Sequence, residues 1–290
     1  MRAPIRDTEI FFDIDGAALV PDGPRMREKP TAFLVHGGPG GDHTDAKVGC
    51  ASLAEKLQLV YFDHRGHGRS ARGDSQKYNL DENVEDMEGL RQYLGLGPIV
   101  SIGTSYGGMV AMAHAARYPA AVSHLILVVT AAHYGYLLKA KEIVAQRGTP
   151  QQISQYEDML AGRLDSADKL RRYFEVMGPL YALKYDSTLA KSGLDRGVLS
   201  PDAFTQAYRP GGYLRTFDLR PELSSITAAT LILAGRHDWI CAPEFAEEIQ
   251  AHIPGSDLRI FEESSHFIRS DERQKFLDVV AGFLVYRSIK

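Results

Sequence analysis

The sequence predicts an α/β protein: a mostly parallel, doubly wound sheet that carries an inserted helical segment. Three observations lead there. Six short apolar runs, rich in Val, Ile, Leu and Phe, lack clean alternation, as strands buried on both faces do. Segments of helical spacing separate most of them, and strand and helix in alternation build a layered sheet through right-handed crossovers. One stretch of about a hundred residues breaks that alternation.

The runs are TAFLVHG (31–37), LVYFDHRG (59–66), IVSIGTS (99–105), HLILVVT (124–130), TLILAGRHD (230–238) and LRIFEESSH (258–266). Among the helical segments, 83–94 places Val84, Met87, Leu90 and Leu94 on one face. Residues 106–118 are small and apolar, as suits a helix buried beside the sheet, and 271–286 aligns Phe276, Leu277, Val280, Phe283 and Leu284. Between 132 and 228 no strong strand appears. Helical stretches at 136–146, 153–161 and 167–177 do, punctuated by Gly148, Pro150, Gly178, Pro179, Gly193 and Pro201. The expected division is a core of residues 1–131 and 229–290 with a helical lid, 132–228, above the C-terminal strand ends. Open α/β sheets bind ligands there.

Composition narrows the functional classes. A net charge of −4 on 290 residues gives no pull toward nucleic acid or an anionic membrane. The N-terminus has early positive charge but no apolar stretch behind it, which fails the secretory-signal pattern. No window nears the roughly 18 apolar residues of a membrane span. Two distant cysteines, Cys50 and Cys241, make neither a disulfide framework nor a metal-ligand spacing. A cytoplasmic setting is the expectation, and the oligomeric state is left open.

Chemistry concentrates at the ends of the predicted strands. Gly103-Thr104-Ser105-Tyr106-Gly107 fits G-x-S-x-G between a strand and a helix, the context that a nucleophile elbow needs. Taken alone the motif is common, and a glycine-rich turn with an incidental serine reads the same way. The partners decide it. Elbow hydrolases order their triad as Ser, acid, His. Asp238 leaves the strand at 230–234, and His266 lies in the loop after the last strand. Ser105 needs a base, and an imidazole base needs a carboxylate to fix its tautomer. The expected triad is Ser105, Asp238 and His266, with oxyanion donors at the N–H groups of Tyr106 and of Gly38, in His36-Gly37-Gly38-Pro39-Gly40-Gly41. No metal or organic cofactor is called for. His64 and His67, in DHRGHGRS (63–70), lack the carboxylate or cysteine company of a metal site. Arg65 and Arg69 read as ties between loops, and Cys241 as a small packed side chain.

HGGPGG, DHRGHGRS, GTSYGG, GRHDWICAP and SSHF, in this order and spacing, resemble the proline iminopeptidase family of the α/β-hydrolase fold. The resemblance covers the core on both sides of the insertion and implies the same five positions. It departs at three points: Tyr106 replaces the usual Trp, Ser265 the usual Gly, and Asp63-His64-Arg65 the usual D-Q-R. Members that release N-terminal proline hold its amine with lid carboxylates. The lid offers Glu142, Glu157 and Glu175, with Asp158 and Asp186, and each taken singly reads first as a solvated helix charge. Tyr136, Phe174 and Tyr181 are candidates to line an apolar pocket or to form lid core. Three functions follow: an amide or peptide hydrolase taking a small molecule or short peptide through an acyl-enzyme, a carboxylesterase or lactonase with the same triad, or a ligand-binding protein that kept the fold without catalysis.

Overall fold

The structure, a computed structural model, describes residues 1–286. In chain order the elements are β1 (Arg2–Ile5), β2 (Thr8–Asp15), β3 (Leu19–Asp22), β4 (Arg25–Glu28), β5 (Thr31–Val35), α1 (Thr44–Cys50), β6 (Gln58–Phe62) and α2 (Leu80–Tyr93). Then follow β7 (Ile99–Thr104), α3 (Tyr106–Arg117), β8 (Val122–Val128), α4 (Gly135–Arg147), α5 (Pro150–Leu160), α6 (Ala167–Tyr181), α7 (Ser187–Arg196) and α8 (Pro201–Tyr208). The chain closes with β9 (Ala229–Gly235), α9 (Pro243–His252), β10 (Asp257–Phe261), α10 (Ile268–Asp271) and α11 (Arg273–Tyr286).

Eight strands form one sheet in the order β1-β2-β6-β5-β7-β8-β9-β10. From β6 to β10 neighbouring strands are parallel. β2 joins antiparallel to β6, and β1 antiparallel to β2. Each inner strand sends alternate side chains into two separate apolar layers. Phe33, Val35, Val60, Phe62, Leu125 and Leu127 pack with α2, α3 and α9. Their neighbours Ala32, Leu34, Leu59, Tyr61, Ile126 and Val128 pack with α1 and α11 on the other face. Because both faces are apolar, these strands show no period-2 pattern in sequence.

The N-terminal strands were not foreseen, and the reason is local. β2 is half-buried, with Ile10 and Phe12 inward and partly exposed residues between them. β1 is four residues long, and β3 and β4 form an exposed two-stranded ribbon with almost no buried face to mark it. The prolines at 150 and 201 read as breaks but stand in the first turns of α5 and α8, where a missing N–H costs nothing. α6 was expected to stop at Met177; it runs through Pro179 to Tyr181. Among the described residues no helix is long and apolar enough to cross a membrane.

Candidate active site

Ser105 sits at the turn between β7 and α3 with φ 54° and ψ −120°, a conformation that few side chains tolerate. Its main chain is held at both ends: its N–H donates to the carbonyl of Val128 (2.8 Å), and its carbonyl accepts from Thr130 Oγ1 (2.8 Å). The flanking glycines leave room for this. A Cβ on Gly107 would run into the carbonyl oxygens of Val35 and His36, and one on Gly103 into that of Gly107. The turn places Ser105 at the N-terminus of α3, where the helix dipole favours negative charge.

Asp238 follows β9 and is buried. Its Oδ1 accepts the N–H groups of Ile240 (2.9 Å) and Cys241 (3.0 Å), which fixes the carboxylate plane. Its Oδ2 lies 2.8 Å from Nδ1 of His266. That bond puts the proton on Nδ1 and leaves Nε2 as the nitrogen that a hydroxyl can approach. The two loops close on each other because Gly235 has no side chain; a Cβ there would strike the carbonyl of Ser265. Ser265, which stands where the resembling family has glycine, adds a clamp. Its hydroxyl reaches the carbonyls of Leu180 (2.7 Å) and His237 (3.2 Å), tying the His266 loop to the end of α6 and to the Asp238 loop.

The loop after β5 passes beside the serine. A Cβ on Gly37 would stand 3.3 Å from that of Ser105. Tyr106, the first residue of α3, has an N–H with no acceptor within its helix. Its ring is buried, and its hydroxyl accepts from Asn83 Nδ2 at 2.6 Å. Arg65 does tie loops together: its guanidinium forks onto Asp86 (2.6 Å twice) and reaches Asp7 (3.1 Å). Arg69 pairs with Asp42 (2.7 Å). His64 and His67 lie buried with His36 in a cluster of rings, centroids 4.3 to 5.6 Å apart.

The helices between β8 and β9 meet these loops with aromatic rings. Tyr181 lies edge-on to His266 (centroids 5.5 Å) and to Trp239 (5.2 Å), and stacks on Phe267 (5.0 Å). Phe174 touches Tyr181 and Phe204, both at 6.3 Å. Phe204 packs on Tyr208 (4.8 Å), whose hydroxyl donates to the Gly38 carbonyl at 3.2 Å. A continuous wall of rings thus runs from the glycine loop to His266. Tyr136 is buried against Phe217 (6.1 Å), one layer further into the insertion. The carboxylate candidates point elsewhere. Glu142, Glu157 and Glu175 are exposed; Glu142 faces Lys139 and Glu175 faces Arg172 at the outer surface. Asp158 pairs with Arg163, and Asp186 caps α7. They sit on the hydrophilic sides of amphipathic helices, where burial would strip their water. Reading the sequence alone missed Phe204, Tyr208, Trp239 and Phe267. Phe204 and Tyr208 hold ordinary apolar positions of α8, and Trp239 and Phe267 lie in loops, so nothing in the sequence announces these contacts.

The profile of the alpha/beta hydrolase fold family matches residues 30–272. A proline iminopeptidase, PfmaB, of Pestalotiopsis fici is 30% identical over 281 residues, covering 94% of this chain and 98% of that protein. The proline iminopeptidase of Saccharolobus solfataricus is 28% identical, covering 86% and 83%. Among solved structures, the esterase EaEST of Exiguobacterium antarcticum superposes with a TM-score of 0.76 at 24% identity, covering 96% of each chain. This chain is a hydrolase of the α/β-hydrolase fold family, in its proline iminopeptidase-like group.

Proposed function

We propose that the protein is a serine hydrolase that works through an acyl-enzyme, with Ser105 as nucleophile, His266 as general base and Asp238 as its orienting acid. The observation that carries this reading is the 2.8 Å bond from His266 to the buried Asp238, on the same sheet edge as the strained Ser105 turn. His266 Nε2 takes the Ser105 proton as Oγ attacks the substrate carbonyl, then returns it to the leaving group. The N–H groups of Tyr106 and Gly38 receive the oxyanion. Water, deprotonated by the same imidazole, releases the acyl group. Residues 132–228 act as a cap over the core of 1–131 and 229–290, and the substrate is a small molecule that enters between them.

The wall chemistry favours an uncharged acyl group, as in an ester or lactone. Tyr181 lies against His266, the rings of Phe174, Phe204 and Tyr208 continue the row to the Gly38 carbonyl, and the carboxylates Glu142, Glu157 and Glu175, which could hold a free amine, are exposed. The peptidase reading draws on the relatives named proline iminopeptidase. Parallel rates on p-nitrophenyl butyrate and proline p-nitroanilide, with Ser105→Ala as blank, separate the two. Faster ester turnover is expected. Anilide turnover at a comparable or higher rate would replace the ester reading with the peptidase one.

A further inference from the structure

The peptide that joins Gly37 to Gly38 carries two groups that matter: the carbonyl of Gly37 and the N–H of Gly38. In a trans peptide these point in opposite directions. Whatever holds the carbonyl therefore aims the N–H. The holder is His36. Its Nδ1 lies 2.8 Å from the Gly37 oxygen. A carbonyl only accepts, so Nδ1 must carry the proton. The other ring nitrogen agrees: the backbone N–H of His64 donates to Nε2 at 3.1 Å, so Nε2 must be bare. Both neighbours demand the same tautomer, and a protonated ring would set two N–H groups against each other. Burial disfavours that cation and pushes the His36 pKa below its ordinary value, despite the attraction of Asp63. The ring itself is wedged among His64 and His67 and is 2% exposed, so it has little room to turn.

We propose that His36 is a positioning residue of the hydrolytic reaction: its Nδ1–H, set by the His64 main chain, orients the Gly37–Gly38 peptide so that the Gly38 N–H faces the oxyanion. The proposal rests on the reading of Ser105 as nucleophile and Gly38 as oxyanion donor. It also gives the DHR sequence a second role. Asp63 and Arg65 tie loops together, and the residue between them supplies the N–H that decides the His36 tautomer. Any residue but proline at position 64 leaves that N–H in place, which fits the departure of His64 from the family's usual glutamine.

Two neutral amides separate a positioning role from mere packing. His36→Asn keeps an N–H near the Nδ1 position, and His36→Gln moves it toward Nε2. Each is assayed on whichever chromogenic substrate the parent turns over faster. His36→Asn should keep kcat within about threefold, and His36→Gln should lose about tenfold to hundredfold, below the full loss of an oxyanion donor. KM should stay within about twofold in both, and affinity for a trifluoromethyl ketone, which mimics the tetrahedral intermediate, should fall with kcat. Equal kcat in the two variants, or a loss confined to KM, overturns the proposal. Nitrogen-15 NMR of the parent gives a check that needs no variant to fold: His36 should show the Nδ1–H tautomer, and an Nε2–H tautomer overturns the assignment. Ser105→Ala in the same series keeps the two readings apart. If it turns over like the parent, the nucleophile reading fails. If it is inert while His36→Gln equals the parent, the His36 assignment alone fails.

Discussion

The two carboxylate oxygens of Asp238 divide their work, one accepting two backbone N–H groups and the other the imidazole. Asp238→Asn keeps the size but offers an N–H where His266 needs an acceptor, which forces the wrong tautomer. We predict a kcat loss of about 10⁴-fold with the fold retained, measured by initial rates beside circular dichroism; a loss under tenfold would contradict the triad. Ser105→Ala should lower turnover of any substrate to the rate measured without protein. As candidates these residues can be read from the sequence, because triad chemistry fixes their order and their places at strand ends. The row of rings beside them cannot. Phe204 and Tyr208 occupy ordinary helix positions, and the sequence carries no sign of whether an aromatic side chain meets a substrate or another ring.

The elbow shows how tightly an element is specified. α3 approaches β5 so closely that Gly107 has the carbonyls of Val35 and His36 where a Cβ would be. Gly107→Ala should therefore destabilise the protein by about 3 kcal/mol, at the upper end of ordinary overpacking. A denaturant titration reads this directly, and a change below about 1 kcal/mol would mean that helix and strand can separate without cost. Six of the eight strands in the main sheet stand close to where the apolar runs place them. Burial on both faces makes such runs conspicuous, whereas β1 and β2 bury only alternate residues and merge into charged surroundings. The helices of the insertion were partly visible. α7 has no buried residue, and its Leu189 is exposed.

Over the whole molecule, two buried histidines and an exposed ion-paired carboxylate show the response to acid. Desolvation holds His64 well below its ordinary value. Desolvation also lowers His67, to about 3, against a small opposing effect of its bond to the Arg65 carbonyl. Both ring nitrogens of His64 lack a hydrogen-bond partner among the described residues. The unfolded chain binds protons on these rings near pH 6.5 and the folded chain does not. The stability they contribute is complete above that pH and is lost as pH falls toward the folded values. Carboxylates act lower down. Asp7, hydrogen-bonded to Lys77, is lowered to about 2, so its contribution fades below the ordinary value of 3.8. The Tm should fall steadily from pH 7 to pH 5, and His64→Phe should make that slope shallower. An unchanged slope in the variant would show that His64 takes up its proton without unfolding.

Trp239 is the chain's single tryptophan, next in sequence to Asp238, buried, and edge-on to both Tyr156 and Tyr181. Tyr181 in turn touches the imidazole of His266. All indole emission therefore comes from one reporter, one ring away from His266. A ligand that shifts Tyr181 changes the reporter's surroundings, and the signal has no background from other tryptophans. In Ser105→Ala, which should bind without turnover, a fluorescence titration would yield a dissociation constant for an unlabelled compound that shifts Tyr181. The protein can thus be screened for its natural substrate by light alone, before any chromogenic analogue is made.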